Sequence, residues 1–436
     1  MGRTHERGRA LEDRQVPGFG QDVAWLAELL WLRSGSGGPV RISTGPVPDG
    51  YRAVERFAVV PSLRKAEFLV PLRSRKTAWA ALSRYNALRP LRTRIPRRLL
   101  STGMLLGLAQ PLLRDRLVVC VARDTPADEL ADLLVADHLR RLLGVRDLAM
   151  AIGIGSRDAY RKPTLQLFDP DGRALGYAKA GWNRVTARLV RNEARAMAAL
   201  STRPLETVSV PALLAAGAWN GLELVVSAPL PDGVRRYRPF DVVPPLKITR
   251  EIAAAAAGTR TLPLAASPYW ARVRRETEAA EKNGLRTVLA GYLRAVEERW
   301  GQLPLEFGAW HGDWVSWNLA RNGGRLHAWD WEHSGDDVPV GFDVTHWHFQ
   351  MALVREGRGV VEAVRRCTER GLPLLVELGI APEAAPAVVA CYLLEILLRD
   401  WRSVQAGGNW TARLYPGILP VLADRAAAVR EGAERR

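Results

Sequence analysis

The sequence predicts an α+β fold, with a strand-rich part followed by a mainly helical one. Three observations predict it. Residues 148–180 hold three short apolar runs of strand character separated by turn residues. Beyond about residue 250 the apolar positions recur at helical spacing instead. Among those later helices lies the stretch Trp310 to Asp343, which reads as two short strands joined at Asn322-Gly323-Gly324, a turn suited to positive φ.

At 436 residues the chain is long enough for two or three domains, each with a core. Apolar content of 47% with 25% charged residues is that of a globular chain and excludes a disordered or fibrous one. The net charge of +16 is uneven: residues 1–120 hold 21 Lys/Arg against 9 Asp/Glu, a difference of 12. That asymmetry points to an anionic partner for the N-terminal part, such as a membrane surface, a phosphorylated or lipid-linked sugar, or nucleic acid. A solvated basic face explains it equally well.

Cys120, Cys367 and Cys391 are far apart, without zinc-ligand spacing or a disulfide framework, so a reducing compartment is expected. The first residues are polar and charged with no apolar signal core, and the expected location is cytoplasmic, with peripheral membrane association open. The longest apolar run, Leu99 to Leu113, falls short of the about 20 residues that span a bilayer. Arg97, Arg98, Arg114 and Arg116 flank it, which fits either a core helix or a helix lying on an anionic membrane.

In chain order, residues 1–20 are expected to form a disordered lead-in. A helix is predicted over Asp22 to Leu32, strands over Ala53 to Val60 and Ala66 to Leu72, and a helix over Lys76 to Leu88. The basic segment Arg89 to Arg98 and the apolar run follow. Leu117 to Val121 is a short buried strand, and Thr125-Pro126-Ala127-Asp128-Glu129 opens a helix running to Gly144. Residues 21–144 thus form a basic α+β module without a catalytic constellation. From 145 to 230 come strands over Leu148 to Ile154, Thr164 to Phe168 and Leu175 to Ala180, with Lys179 ending the third. A helix over Val185 to Leu200 carries Glu193, fourteen residues after Lys179. The apolar strand Leu222 to Ser227 stops at a Pro/Gly-marked connector, Ala228 to Gly233. In residues 231–436, helices are predicted over 252–257, 269–282 and 285–300. More follow the hairpin, over 344–355, 360–370, 374–378, 385–404 and 418–431.

The hairpin carries the chemistry. Asp313 and Asn318 lie five residues apart on the loop before its first strand, and Asp330 sits at the end of its second. Two carboxylates and an amide carbonyl converging there are hard oxygen ligands, suited to Mg²⁺ with phosphate oxygens and not to zinc. An ordinary acidic hairpin with accidental spacing is the competing explanation. The order H-G-D-x-x-x-x-N (His311 to Asn318), then D-W-E (Asp330 to Glu332), then G-F-D (Gly341 to Asp343) narrows it. These motifs resemble those of the aminoglycoside phosphotransferase and choline kinase families, which share a two-lobed protein-kinase-like fold. The resemblance covers roughly residues 147–400 and implies an antiparallel-sheet small lobe and a helical large lobe, with residues 21–144 as an N-terminal extension.

It further implies ATP and Mg²⁺ as cofactors, Asp313 as the catalytic base, and Asn318 and Asp330 as metal ligands. Lys179 would clamp the α- and β-phosphates, positioned by Glu193. His311 would prop the loop, Asp343 would tie either the following helix N-terminus or the loop backbone in place, and Glu332 would support them from behind. The backbone at Val226 to Ala228 would meet the adenine edge. The loop Gly153 to Lys162 begins G-x-G without a third glycine. Its Arg157, Arg161 and Lys162 are candidates for phosphate contact or for a solvent-facing turn. Trp314, next to Asp313, is a candidate to stack on a sugar acceptor. His346 and His348 are expected to pack under the loop and not to bind metal.

The expected partner is a small-molecule hydroxyl acceptor: a sugar, an aminoglycoside or an amino alcohol. The basic N-terminal module leans toward an anionic or lipid-linked acceptor. Two readings of other classes stand beside this one. The first is a nucleotide-binding pseudokinase that regulates a partner. The second is a basic anion- or nucleic-acid-binding module with an accessory kinase domain, although no helix-turn-helix, zinc-finger or RNA-binding signature is present.

Overall fold

The computed structural model describes residues 20–32, 38–84, 101–103, 105–106, 114–203, 205–238, 242–255, 258–280 and 284–434. The lead-in 1–19, the basic segment 89–98 and most of the apolar run 99–113 lie outside them. The chain divides into two units, Met1–Ala194 with Ala212–Leu230, and Arg195–Pro211 with Pro231–Arg436.

The first unit is built on one nine-stranded antiparallel sheet. Its strands are β1 (Val40–Ser43), β2 (Tyr51–Val60), β3 (Phe68–Pro71), β4 (Arg116–Ala122), β5 (Ala149–Gly153), β6 (Thr164–Phe168) and β7 (Ala174–Gly181). After β8 (Val208–Ser209), which belongs to the other unit, β9 (Leu213–Trp219) and β10 (Leu222–Ser227) complete it in the order β1-β4-β2-β3-β5-β6-β7-β10-β9. Alternation of side chains explains why these runs are apolar throughout: Phe57, Val59, Leu69 and Ile152 enter one core, while Ala58, Phe68, Val70 and Ala151 enter another on the opposite face. Helix α1 (Gln21–Leu30) covers the first face through Val23, Leu26 and Leu30, and α2 (Arg75–Arg84) covers the second through Ala78, Ala81 and Leu82.

Two expectations meet a different structure here. Residues 21–144 and 145–230, read as separate modules, contribute to the same sheet, because β3 pairs with β5 through Phe68↔Gly153 and Leu69↔Ile152. The helix expected up to Gly144 is broken at buried Leu134 (φ −122°, ψ 125°) into α3 (Leu130–Leu133) and α4 (Val135–Leu142). No side-chain cap forms at Glu129. Helix α5 (Arg184–Thr202) follows β7, and its residues 184–194 belong to the first unit.

The second unit is mainly helical. Its helices are α6 (Leu246–Ala254), α7 (Pro268–Ala279), α8 (Gly284–Trp300), α9 (Phe342–Gln350), α10 (Val360–Arg366), α11 (Leu372–Glu377), α12 (Ala385–Gln405) and α13 (Ile418–Glu434). The helix expected over 344–355 starts two residues earlier and widens to a π-turn over Met351–Arg355. Strands β11 (Arg235–Arg236), β12 (Arg260–Pro263), β13 (Pro304–Trp310), β14 (Leu319–Asn322), β15 (Arg325–Ala328) and β16 (Gly335–Pro339) form two small sheets, β11-β14-β15-β8 and β12-β13-β16. The β14–β15 hairpin turns at Gly323 (φ 54°) and Gly324 (φ 83°), two positive angles that glycine takes without strain. No helix among the described residues is long and apolar enough to cross a membrane.

Candidate functional site

In the first unit the sequence-predicted Lys179 and Glu193 meet. Lys179 sits in β7 between buried Ala178 and Ala180, paired across to Thr164 on β6 and Val225 on β10, so its side chain leaves the sheet on a fixed side. On α5 the buried positions Val185, Leu189, Val190 and Met197 recur at helical spacing and carry Glu193 inward on the same face. Lys179 Nζ lies 2.8 Å from Glu193 Oε1 and 2.7 Å from Oε2. The glutamate is buried, so the pair is held by the fold and not by surface attraction.

The loop after β5 differs from its expected role. Arg157 donates from Nε to Asp22 Oδ1 (2.9 Å) and from Nη2 to Oδ2 (2.5 Å), and Arg161 Nη2 donates to Oδ1 (2.7 Å). The Arg161 guanidinium also lies 4.0 Å from the centre of the Trp25 ring. Two of the three candidate phosphate contacts, Arg157 and Arg161, are therefore committed to α1. Burial would raise the Asp22 carboxyl, but the two arginines hold it below its ordinary value. Just past β10 the Ala228 N–H donates to Ala212 O (2.8 Å), so one donor of the Val226 to Ala228 stretch expected to meet adenine is paired within the chain.

In the second unit, β13 delivers His311, Gly312 and Asp313. Gly312 has φ 80°, and a Cβ there would run into the His333 carbonyl, so the turn requires glycine. Asp343, in the first turn of α9, accepts the His311 N–H at Oδ2 (2.8 Å) and the Gly312 N–H at Oδ1 (3.1 Å). Burial pushes the Asp343 carboxyl up to about 7 against the pull of these two bonds. The Asp313 N–H donates to His311 Nδ1 (3.1 Å), and His311 Nε2 then donates to Trp329 O (3.1 Å). Burial pushes His311 down to about 4, which keeps this bridging ring neutral.

Asn318 ends a 3₁₀ turn (Ser316–Asn318) and bends back to Asp313, donating from Nδ2 to the backbone O (3.1 Å) and to Oδ2 (2.8 Å). Its own carbonyl accepts from Trp329 N–H (3.2 Å). Trp329 thus ties both His311 and Asn318 to the end of β15, and Asp330 follows it in the left-handed region (φ 71°). Glu332 lies in the next short turn, Trp331–His333.

Three further residues bear on this loop: His346, expected only to pack under it, and Tyr392 and Arg399, which were not singled out by sequence. His346 Nε2 lies 3.2 Å from Asp313 Oδ1, and its Nδ1 lies 3.0 Å from Tyr392 Oη. Arg399 Nη1 donates to Gly312 O (2.5 Å). Burial would raise the Asp313 carboxyl, but the hydrogen bond from His346, with His333 and Arg399, holds it well below the ordinary carboxylate range. Its side chain keeps 24% exposure while His346 has none, so a partly exposed carboxylate stands on a buried support. A signal for His346 existed, because it lies three residues after Asp343 and hence on the same helix face. Tyr392 and Arg399 come from distant α12 and leave no local signal.

Trp314 does not face an acceptor. It is fully buried in the core formed with Leu319, Ala328, Trp331 and Trp347, its ring 5.5 Å from that of His311. His346 and His348 are buried as expected. For a hard cation, this unit offers Asn318 Oδ1, since the amide nitrogen is turned to Asp313, and the carboxylates of Asp330 and Glu332, whose oxygens lie within 4.8 Å of each other.

No family model matches the chain, and no curated protein matches it. Among solved structures the chain is similar to a thermostable mutant of aminoglycoside phosphotransferase APH(4)-Ia in its apo form (15% identity, 68% of this chain and 99% of that chain, TM-score 0.43). It is similar to choline kinase LicA from Streptococcus pneumoniae (13% identity, 68% of this chain and 98% of that chain, TM-score 0.38). It is also similar to ADP-bound aminoglycoside phosphotransferase APH(2'')-Ib (10% identity, 67% and 96% covered, TM-score 0.38). Likeness of this degree leaves the chemistry to be read from the side chains.

Proposed function

We propose that this protein is an ATP-dependent phosphotransferase that moves the γ-phosphate to a hydroxyl of a small molecule, a sugar, an aminoglycoside or an amino alcohol. The observation that carries the reading is Asp313. It is an ionised, partly exposed carboxylate with a donor on each oxygen, on a loop pinned by Asp343, His311, Asn318 and Arg399.

In this reading Asp313 orients the acceptor hydroxyl and takes its proton as the new O–P bond forms and the bond to the ADP oxygen breaks. Lys179, aimed by Glu193, serves the α- and β-phosphates. Asn318 and Asp330 would hold Mg²⁺, which offsets charge on the phosphates. Asp343 and His311 keep the loop in place without touching substrate.

The test is a Mg·ATP turnover screen against sugars, aminoglycosides and amino alcohols, with the wild type and Asp313→Asn run side by side. Loss of the general base lowers kcat by about 10²- to 10⁴-fold with nucleotide binding kept. Equal turnover in the two proteins overturns the assignment.

A further inference from the structure

His346 reaches Asp313 from beneath, and its own surroundings are complete. The ring is fully buried. Nε2 faces Asp313 Oδ1 at 3.2 Å and Nδ1 faces the Tyr392 hydroxyl at 3.0 Å. Trp310 closes one flank edge-on, with ring centres 6.0 Å apart. A carboxylate only accepts hydrogen bonds, so the nitrogen facing it must carry the proton. A neutral imidazole then has a bare Nδ1, and the tyrosine hydroxyl is the donor that satisfies it.

The charged groups around the ring agree with a neutral form. Arg399 stands on the same helix as Tyr392 and opposes a second proton, as does desolvation, while Asp313 alone favours one. Tyr392 and Arg399 are seven residues apart on α12, two turns and therefore one face, and both act on the Asp313 loop: one through His346, the other through Gly312 O.

We propose that His346 is the positioning residue for Asp313, held by Tyr392 as the Nε2–H tautomer so that it directs which carboxylate lone pairs meet the acceptor. Asn318 occupies Oδ2 and His346 occupies Oδ1, so the carboxylate cannot rotate without losing a bond on one side. Helix α12 thereby sets the angle of the base without touching substrate. The kinetic part of this inference rests on the phosphotransferase reading; the tautomer does not.

Two arms test it on the full-length protein. Nitrogen-15 NMR of histidine-labelled protein at pH 7, with His346 assigned by its loss in His346→Gln, reads the tautomer directly. The expected result is a protonated Nε2 and a bare Nδ1, with Tyr392→Phe shifting the ring toward a mixture. An Nδ1–H tautomer or an imidazolium overturns the proposal. In the second arm, with any acceptor the screen yields, His346→Leu lowers kcat roughly 10- to 100-fold at unchanged ATP KM, the scale of a misplaced reacting group. His346→Gln, which keeps an N–H donor, restores part of it. Wild-type kcat in His346→Leu overturns the proposal. If no acceptor is turned over, the phosphotransferase reading falls while the NMR arm still decides the tautomer.

Discussion

Trp314 offers the sharpest single perturbation, because two roles for it predict opposite results. Its ring is fully buried among Leu319, Ala328, Trp331 and Trp347, directly behind the loop that carries Asp313. Truncation to alanine removes the packing of a whole indole and leaves a cavity, at a cost of about 3–5 kcal/mol. Its Nε1 has no hydrogen-bond partner among the described residues, so Trp314→Phe removes an unsatisfied donor along with part of the ring. The offset leaves a cost on the order of 1–2 kcal/mol. Urea unfolding of both variants, followed by far-UV circular dichroism, reads the order directly. A loss below about 1 kcal/mol in Trp314→Ala, with a raised acceptor KM, would show that the ring meets ligand and would refute the burial argument.

Other perturbations act on the same framework. Gly312→Ala forces a side chain into a left-handed turn against the His333 carbonyl; it should lower stability by about 2–4 kcal/mol and displace Asp313, which a thermal melt with a turnover assay would detect. Asp22→Ala strands the buried Arg161 guanidinium and should cost about 3–5 kcal/mol, whereas a change within about 0.5 kcal/mol would mean the arginine finds another partner. Glu55, in β2, has its carboxyl pushed by burial from 4.5 up to about 7, and Trp31 Nε1 donates to it (2.9 Å). Because the folded value exceeds the unfolded one, its contribution is fully present below about pH 4.5 and lost as pH rises through 7. Melting curves between pH 5 and 8 should show the wild type losing on the order of 2 kcal/mol relative to Glu55→Gln, and parallel curves would contradict this.

What the sequence discloses depends on how far apart the interacting residues are. The Gly323-Gly324 turn is legible because positive φ is a local demand that residue type answers. The Lys179–Glu193 pair is legible only through the order of motifs that carries the resemblance, a strand lysine and a helix glutamate upstream of His311-Gly312-Asp313, since a lone lysine and glutamate mark nothing. Asp343 is legible as a backbone anchor from its place at a helix start. The Arg157 and Arg161 pairing with Asp22 is not, since cationic loop residues look alike whether they await an anion or have one already. Trp314 misleads for a related reason: adjacency to Asp313 in sequence says nothing about which way a side chain leaves an extended backbone. Tyr392 and Arg399 act from a helix that also carries Glu395, Asp400 and Arg402, and nothing local to the sequence sets those two apart.

The pairing of β3 with β5 bears on how the protein can be dissected. A chain begun at residue 145 would start four residues before β5 and lack the strand that covers its edge through Phe68 and Leu69. The buried row Ala149 to Gly153 would then offer open amides and carbonyls to any neighbour, the usual route to sheet-to-sheet aggregation. The same cut would remove Asp22 and leave Arg161 without its counter-charge. Soluble fragments of this protein should therefore be sought by keeping residues 20 onward, and a minimal version trimmed at 145 should be recovered as aggregate.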